Sequence, residues 1–145
     1  MIKLSMGALA LVAAMSSAHA ADRVVMVPIA AAMATPDAQA KLGGDIKYYF
    51  GDQRVPGKVT PLGENKTSQK TNAFGKSDDV ACNWVFLSAM IRLQKHAQSI
   101  GANAVTNIRS NYNNVEKSST TDVECHAGAL MAGVALKADF VKVAQ

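Results

Sequence analysis

Apolar residues recur every three or four positions over one long stretch, from about Asp79 to Ile100, and alternate with polar ones on either side of it. With Leu93 at the centre of one helical face, Cys82, Phe86, Ala89, Ala97 and Ile100 fall within about 40° of it, at about 100° per residue. That stripe predicts an amphipathic helix lying on a core. Ser77 or Asp78 stands where an N-cap belongs, the aspartates at 78 and 79 favour the positive N-terminal end, and Gly101 supplies the stop. Trp84, Leu87 and Ile91 fall on the opposite side, about 120–180° away. A helix apolar on two sides needs two covers. The N-terminal segment is the preferred second cover, and another subunit is the alternative, which makes Trp84, Leu87 and Ile91 a candidate interaction face of a homo-oligomer.

The flanking segments read mainly as strands. "RVVMVPIAAAMA" opens as a short strand and continues into an alanine-rich piece of ambiguous type. In "TPDAQAKLGG" Thr35 can cap a short helix, Pro36 suits its first position, and Gly43-Gly44 ends it. "DIKYYFG" alternates, with Ile46, Tyr48 and Phe50 on one side. Residues 51–77 are polar and turn-rich and read as a long loop with room for one short strand. Beyond the helix, Ala104, Thr106, Ile108, Ser110 and Tyr112 share a strand face, "NNVEKSS" reads as a hairpin connection, and a strand returns through "TTDVECHAG". A further extended run follows in "ALMAGVALKADFVKV", with Gly128 and Gly133 as bend or bulge points. This order predicts an α+β domain: a small antiparallel or mixed sheet with one long helix packed across it, in a single domain.

The first twenty residues change the picture of where this domain works. Lys3 precedes an apolar run from about Leu4 to Met15, and "SSAHA" places small residues at Ala18 and Ala20. That is the layout of a secretory signal peptide, with cleavage expected between Ala20 and Ala21. The apolar run is shorter than the roughly 20 residues a bilayer span needs, and no membrane span is expected elsewhere. The expected organisation is a leader over 1–20 and a single domain over 21–145, in the periplasm. Removing the leader takes Lys3 and no acid with it, so the net charge of +4 falls by one. So mild a positive charge, without a dense basic run, predicts no nucleic-acid partner and permits weak attraction to anionic envelope polymers.

Both cysteines lie beyond the leader. In an oxidising compartment an even pair is most simply a disulfide. Cys82 is in the first helical turn and faces the core stripe. Val123, Cys125 and Ala127 share one face of the returning strand, so the two sulfurs meet if that face is the inner one. Cys82 and Cys125 stand 43 positions apart, and a staple closing a loop of that length contributes roughly 3–4 kcal/mol.

The same pairing disarms the most suggestive stretch, "VECHAG". A thiol nucleophile needs its base within hydrogen-bond reach, yet neighbours on a strand point to opposite faces, so His126 diverges from Cys125 and should lie outside. His96 sits at the edge of the helical core stripe. With His19 leaving in the leader, His96 and His126 are the remaining metal-ligand candidates, fewer than the three or four ligands a zinc site takes once the thiols are bonded to each other. Gly75-Lys76-Ser77 imitates the end of a phosphate-binding loop, but the first glycine of that motif would fall at Lys70; capping of the long helix explains it better. Asn65-Lys66-Thr67 is a formal glycosylation sequon and is given no weight.

"AQSIGANAVTNIRSNY", followed by a returning strand that ends in "AGVALK", resembles the YbjQ-like heavy-metal-binding domain and the envelope domain of RcsF-type stress lipoproteins. The likeness covers about residues 79–140. The whole chain, through "TPDAQAKL", "YYFGDQ", "NAFGKSD" and "ECHAGALMAGVALK", is similar to small exported bacterial proteins that often carry the label "excinuclease ATPase subunit". The resemblance implies an α+β core, a ring-like oligomer and a place in the envelope. The chain departs from these relatives in lacking a lipid-bearing cysteine and a clustered cysteine–histidine set.

These readings converge on a non-enzymatic periplasmic module that binds an unknown protein or envelope component, in stress sensing or envelope maintenance. No catalytic residue and no cofactor is assigned. The alternatives are a metal-binding protein using His96, His126 or exposed carboxylates and, more remotely, a hydrolase.

Overall fold

The computed structural model describes residues 22–144. The leader and the cleavage point between Ala20 and Ala21 lie outside the described residues. The elements run β1 (Arg23–Pro28), α1 (Ile29–Met33), α2 (Pro36–Leu42), β2 (Lys47–Phe50), β3 (Val59–Asn72), α3 (Asp78–Ile100), β4 (Ala104–Ser110), a 3-10 turn (Tyr112–Asn114), β5 (Asp122–Ala127) and β6 (Met131–Val143). This is an α+β domain in which α3 lies across one face of a mixed six-stranded sheet.

Strand β6 organises the sheet. Along one edge it pairs with β3 over the full run from Asn72↔Met131 to Val59↔Val143. Its other edge is shared. Ser110 of β4 faces Leu136, and Ala127 of β5 faces Ala132. Each of these two strands carries one more: β4 pairs in parallel with β2, and β5 pairs antiparallel with β1. Beyond β6 the sheet therefore forks into two short wings. The expected β4–β5 hairpin does not form, because both strands run antiparallel to β6 and lie end to end along it. The connection over residues 111–121 is used instead to cover part of the sheet.

The helix forms where its pattern predicts. The Ser77 hydroxyl accepts the Val80 N–H at 3.3 Å, and Gly101 closes the other end at φ 74°. Only glycine takes that left-handed conformation without a steric cost. Cys82, Phe86, Ala89, Leu93 and Ala97 are buried against the sheet, whereas Ile100, expected in the same stripe, is 37% exposed in the last turn of the helix. Phe86, Met90 and Leu93 meet Ile108, Leu136 and Phe140 from the sheet in one core, at roughly 1.5–3 kcal/mol for each large side chain buried.

The second cover is the chain's own N-terminal segment. α1, α2 and β1 all pack on α3, and Ala38, Leu42 and Ile46 join the same core. Pro36 occupies the start of α2, and the Thr35 hydroxyl accepts the Ala38 N–H at 3.2 Å, as the capping pattern requires.

Two departures have clear physical causes. The long loop expected over 51–77 contains the fourteen-residue strand β3. From Asn65 to Asn72 it alternates half-buried and exposed positions, but every residue of that run is polar, so hydrophobic alternation could not reveal it. In β4 the strict alternation fails at Asn107, which sits at φ 48°. The pairing skips there from Thr106↔Asp139 to Arg109↔Lys137, a bulge that turns both Val105 and Ile108 into the core.

Candidate functional site

The two faces of the sheet carry different chemistry. On the helix side, Cys82 in the first turn of α3 is disulfide-bonded to Cys125 at the centre of β5, with Cα atoms 5.8 Å apart. Val123, Cys125 and Ala127 are all fully buried on that side, as their shared face requires. The bond fastens the helix start to the β5 wing, whose edge strand β1 is tied to the same place by Arg23, whose guanidinium donates to both carboxylate oxygens of Asp78 at 2.8 and 3.0 Å.

On the opposite face a polar cluster replaces a second apolar layer. Arg109, pushed outward by the Asn107 bulge, is 9% exposed and faces three carboxylates: Glu116 at 2.6 Å, Glu64 at 3.1 Å and Asp139 at 3.6 Å. It also donates to the Asn107 carbonyl at 2.8 Å. Lys137 reaches Glu64 at 3.1 Å and Glu116 at 3.6 Å. Hydrogen bonding to Lys137, joined by Arg109, holds the Glu64 carboxyl below its ordinary range, and Arg109 does the same for Glu116. Partial burial works against the Arg109 charge, but its carboxylate partners outweigh it and hold the guanidinium above its ordinary value.

The second half of the cluster surrounds His126. Its ring lies flat against Tyr112, with centroids 3.4 Å apart and planes 9° from parallel. His126 does point away from the disulfide, but it is not outside as expected: its side chain is only 13% exposed. The residues at 111–121 fold back over the sheet, pinned by paired backbone bonds between Ser110 and Lys117 at 2.9 and 3.1 Å. This brings Lys117 to Glu124 at 2.7 Å, while Glu124 Oε2 lies 3.7 Å from His126 Nε2. The Nε2 atom is buried without a hydrogen-bond partner. The Ser110 hydroxyl accepts the Glu124 N–H at 2.9 Å.

His96 lies on the other side of the sheet, its ring edge-on to Phe140 at 4.6 Å. The two histidines are therefore not brought together. Among the described residues no group of three or more His, Cys, Asp or Glu side chains is placed to hold a metal ion. Gly75-Lys76-Ser77 is the turn and cap that start α3. Of the candidate face on α3, Leu87 is buried and Ile91 half-buried beneath the N-terminal segment, so the three residues do not form a continuous apolar surface. Trp84 remains 55% exposed, with the Lys41 ammonium 5.4 Å above its ring.

Sequence reasoning placed the disulfide but missed the Arg109 cluster. Its one legible signal is Arg109 between Asn107 and Asn111 on the polar face of a strand, which asks for acidic partners.

No helix among the described residues is long and apolar enough to cross a membrane. No protein family, curated protein or solved structure matches the chain.

Proposed function

We propose that the protein is an exported, disulfide-stapled module that works in the cell envelope by binding a protein or envelope component rather than by catalysis. One observation carries this reading: apart from the buried His126 Nε2, the reactive side chains near the centre of the described domain are engaged with one another. The two thiols are joined, Arg109 is ringed by carboxylates, Glu124 is held by Lys117, and His126 lies under Tyr112. What stays free is surface. Trp84 on α3, Val24 and Met26 on β1, and Phe74, Leu130 and Met131 at the β3–β6 tip are large apolar side chains about half or more exposed. The leader pattern and the buried staple both fit an oxidising destination.

The deciding experiment is photo-crosslinking in living cells with the probe at Trp84, Met26 or Phe74, followed by recovery from the periplasmic fraction. A discrete adduct at one of these positions supports the reading. A protein retained in the cytoplasm with both thiols reactive overturns it. So does a purified protein that holds stoichiometric zinc or copper and loses it on His126→Ala.

A further inference from the structure

We infer that β3 is a self-complementary edge through which two copies of this chain pair into a symmetric dimer, an inference that does not rest on the reading above. Among the described residues β3 bonds to β6 alone, so one edge of a fourteen-residue strand is open. Its upper part is irregular at Pro61 and Gly63, but the register with β6 is unbroken from Gly63 to Asn72.

Two observations fix which backbone groups point out of the sheet. The Lys66 N–H donates to the Asn65 side-chain oxygen at 2.8 Å. The Gln69 carbonyl oxygen lies 3.5 Å from where a Cβ on Gly133 would stand, so it points towards β6. Since backbone direction alternates along a strand, Glu64, Lys66, Ser68 and Lys70 present their N–H and C=O groups to the open edge. An antiparallel partner must match these positions to its own outward-facing positions.

Two symmetric registers that satisfy this rule are complementary in charge: an axis at Asn65 sets Glu64 opposite Lys66 but runs Ser68 and Lys70 against Leu62 and Thr60 in the irregular part of the strand, whereas an axis at Thr67 stays within the regular run. With the two-fold axis at Thr67, Glu64 stands opposite Lys70 of the second copy, Lys66 opposite Ser68, and Asn65 opposite Gln69, each relationship occurring twice. Thr67 meets its own copy on the axis, a favourable cross-strand pair. Moving the axis one residue back to Lys66 sets Lys66 against Lys66. Moving it one residue forward to Ser68 sets Lys66 against Lys70. Like charges directly opposite are destabilising, so the sequence "ENKTSQK" selects Thr67. The axis runs perpendicular to the sheet, which makes the two sheets continuous and leaves both α3 helices on one side. The Glu64 carboxylate is half exposed even with Arg109 and Lys137 bound to it, so it can still accept the incoming Lys70. Arg92 and Lys95 flank the same edge on the helix side, which makes an acidic extended peptide the competing occupant.

The test uses the oxidised protein without its leader. In light scattering and sedimentation it should be a dimer at micromolar to high-micromolar concentration. Ser68→Pro removes only an outward N–H, which an edge strand tolerates, and should give a folded monomer, with circular dichroism confirming the fold. Thr67→Cys places two sulfurs on the axis, where Cα atoms of a non-hydrogen-bonded pair lie about 4.5 Å apart, within disulfide range. It should form a covalent dimer on mild oxidation. Asn65→Cys, whose copy is displaced along the strand, should not. A protein that is monomeric throughout and binds only an acidic peptide overturns the proposal. So does a dimer that survives Ser68→Pro, or equal crosslinking at positions 65 and 67.

Discussion

Tyr112 lies flat on His126, ring centroid to ring centroid at 3.4 Å, and so closes the polar side of the sheet over the residue whose neighbour forms the disulfide. The stack is what holds the 111–121 segment down at its start, and Lys117–Glu124 holds it further along. Replacing Tyr112 by alanine should lower stability by at least about 1 kcal/mol, since an aromatic pair adds about that much beyond the burial of its area. It should also speed amide exchange at Ser110 and Lys117, whose mutual backbone bonds close that segment. Unchanged protection at both amides would show that Lys117 and the backbone suffice.

The disulfide joins the helix start to the β5 wing, whose strand pairing with β6 is limited to His126↔Gly133 and Ala127↔Ala132 and is supplemented by the Glu124 N–H bond to the Ser110 hydroxyl. So slight a junction makes the staple important for keeping that wing docked. Cys82→Ala with Cys125→Ala should cost roughly 3–4 kcal/mol, read as a fall in the urea midpoint, and the loss should be largest for exchange protection in β1 and β5. A uniform loss of protection across α3 and β6 would mean that the wings do not open separately.

What could be read from the residues was whatever depends on a single chain segment. The caps at Ser77 and Thr35, the stop at Gly101 and the core stripe of α3 up to Ala97 follow from local spacing, and so does the sharing of one face by Val123 and Cys125, though not that this face is the inner one. Three features depended on partners far away in sequence. β3 is a strand because β6 lies beside it, not because its own polar residues ask for burial. The Asn107 bulge reverses the alternation of β4 without any glycine to announce it. The Arg109 cluster joins side chains from β3, β4, β6 and the 111–121 segment, which no periodicity links.

Tyr48 offers a test of an imperfection in the packing. Its hydroxyl is buried and makes no well-formed hydrogen bond. Desolvation pushes the phenol up from 10.0 to about 12, opposed in part by the Gln94 side chain. An unsatisfied buried polar group is costly, so Tyr48→Phe should raise stability by about 1 kcal/mol at neutral pH. The folded value lies above the unfolded one. The native protein should therefore be unaffected by Tyr48 below pH 10, then lose stability as pH rises from 10 towards 12. The phenylalanine variant should lack that part of the alkaline loss. Denaturation midpoints across this range decide it, and parallel alkaline curves for the two proteins would refute the assignment.

The acid limb has the opposite sign. Glu64 and Glu116 are held below their ordinary value of 4.5 by Lys137 and Arg109, and Asp78 below 3.8 by Arg23. Groups depressed in the folded state contribute stability that is present above their unfolded values and lost as pH falls through the folded ones. The native protein should therefore weaken as pH drops below about 4.5. Arg109→Met keeps much of the side-chain volume but removes the hydrogen-bonded charge, which should cost on the order of 2 kcal/mol at neutral pH. In that variant Glu116 loses its main partner, while Glu64 keeps Lys137. Its stability should consequently fall less steeply with acid than that of the native protein, and the gap between the two should narrow as pH drops through 4.5. Lys137→Met should give a smaller neutral-pH loss, because that ammonium is more exposed than the guanidinium and makes fewer bonds. Urea midpoints measured from neutral to acid pH separate these outcomes. A gap that stays constant with pH would mean that Arg109 acts through packing of its side chain rather than through its carboxylate partners.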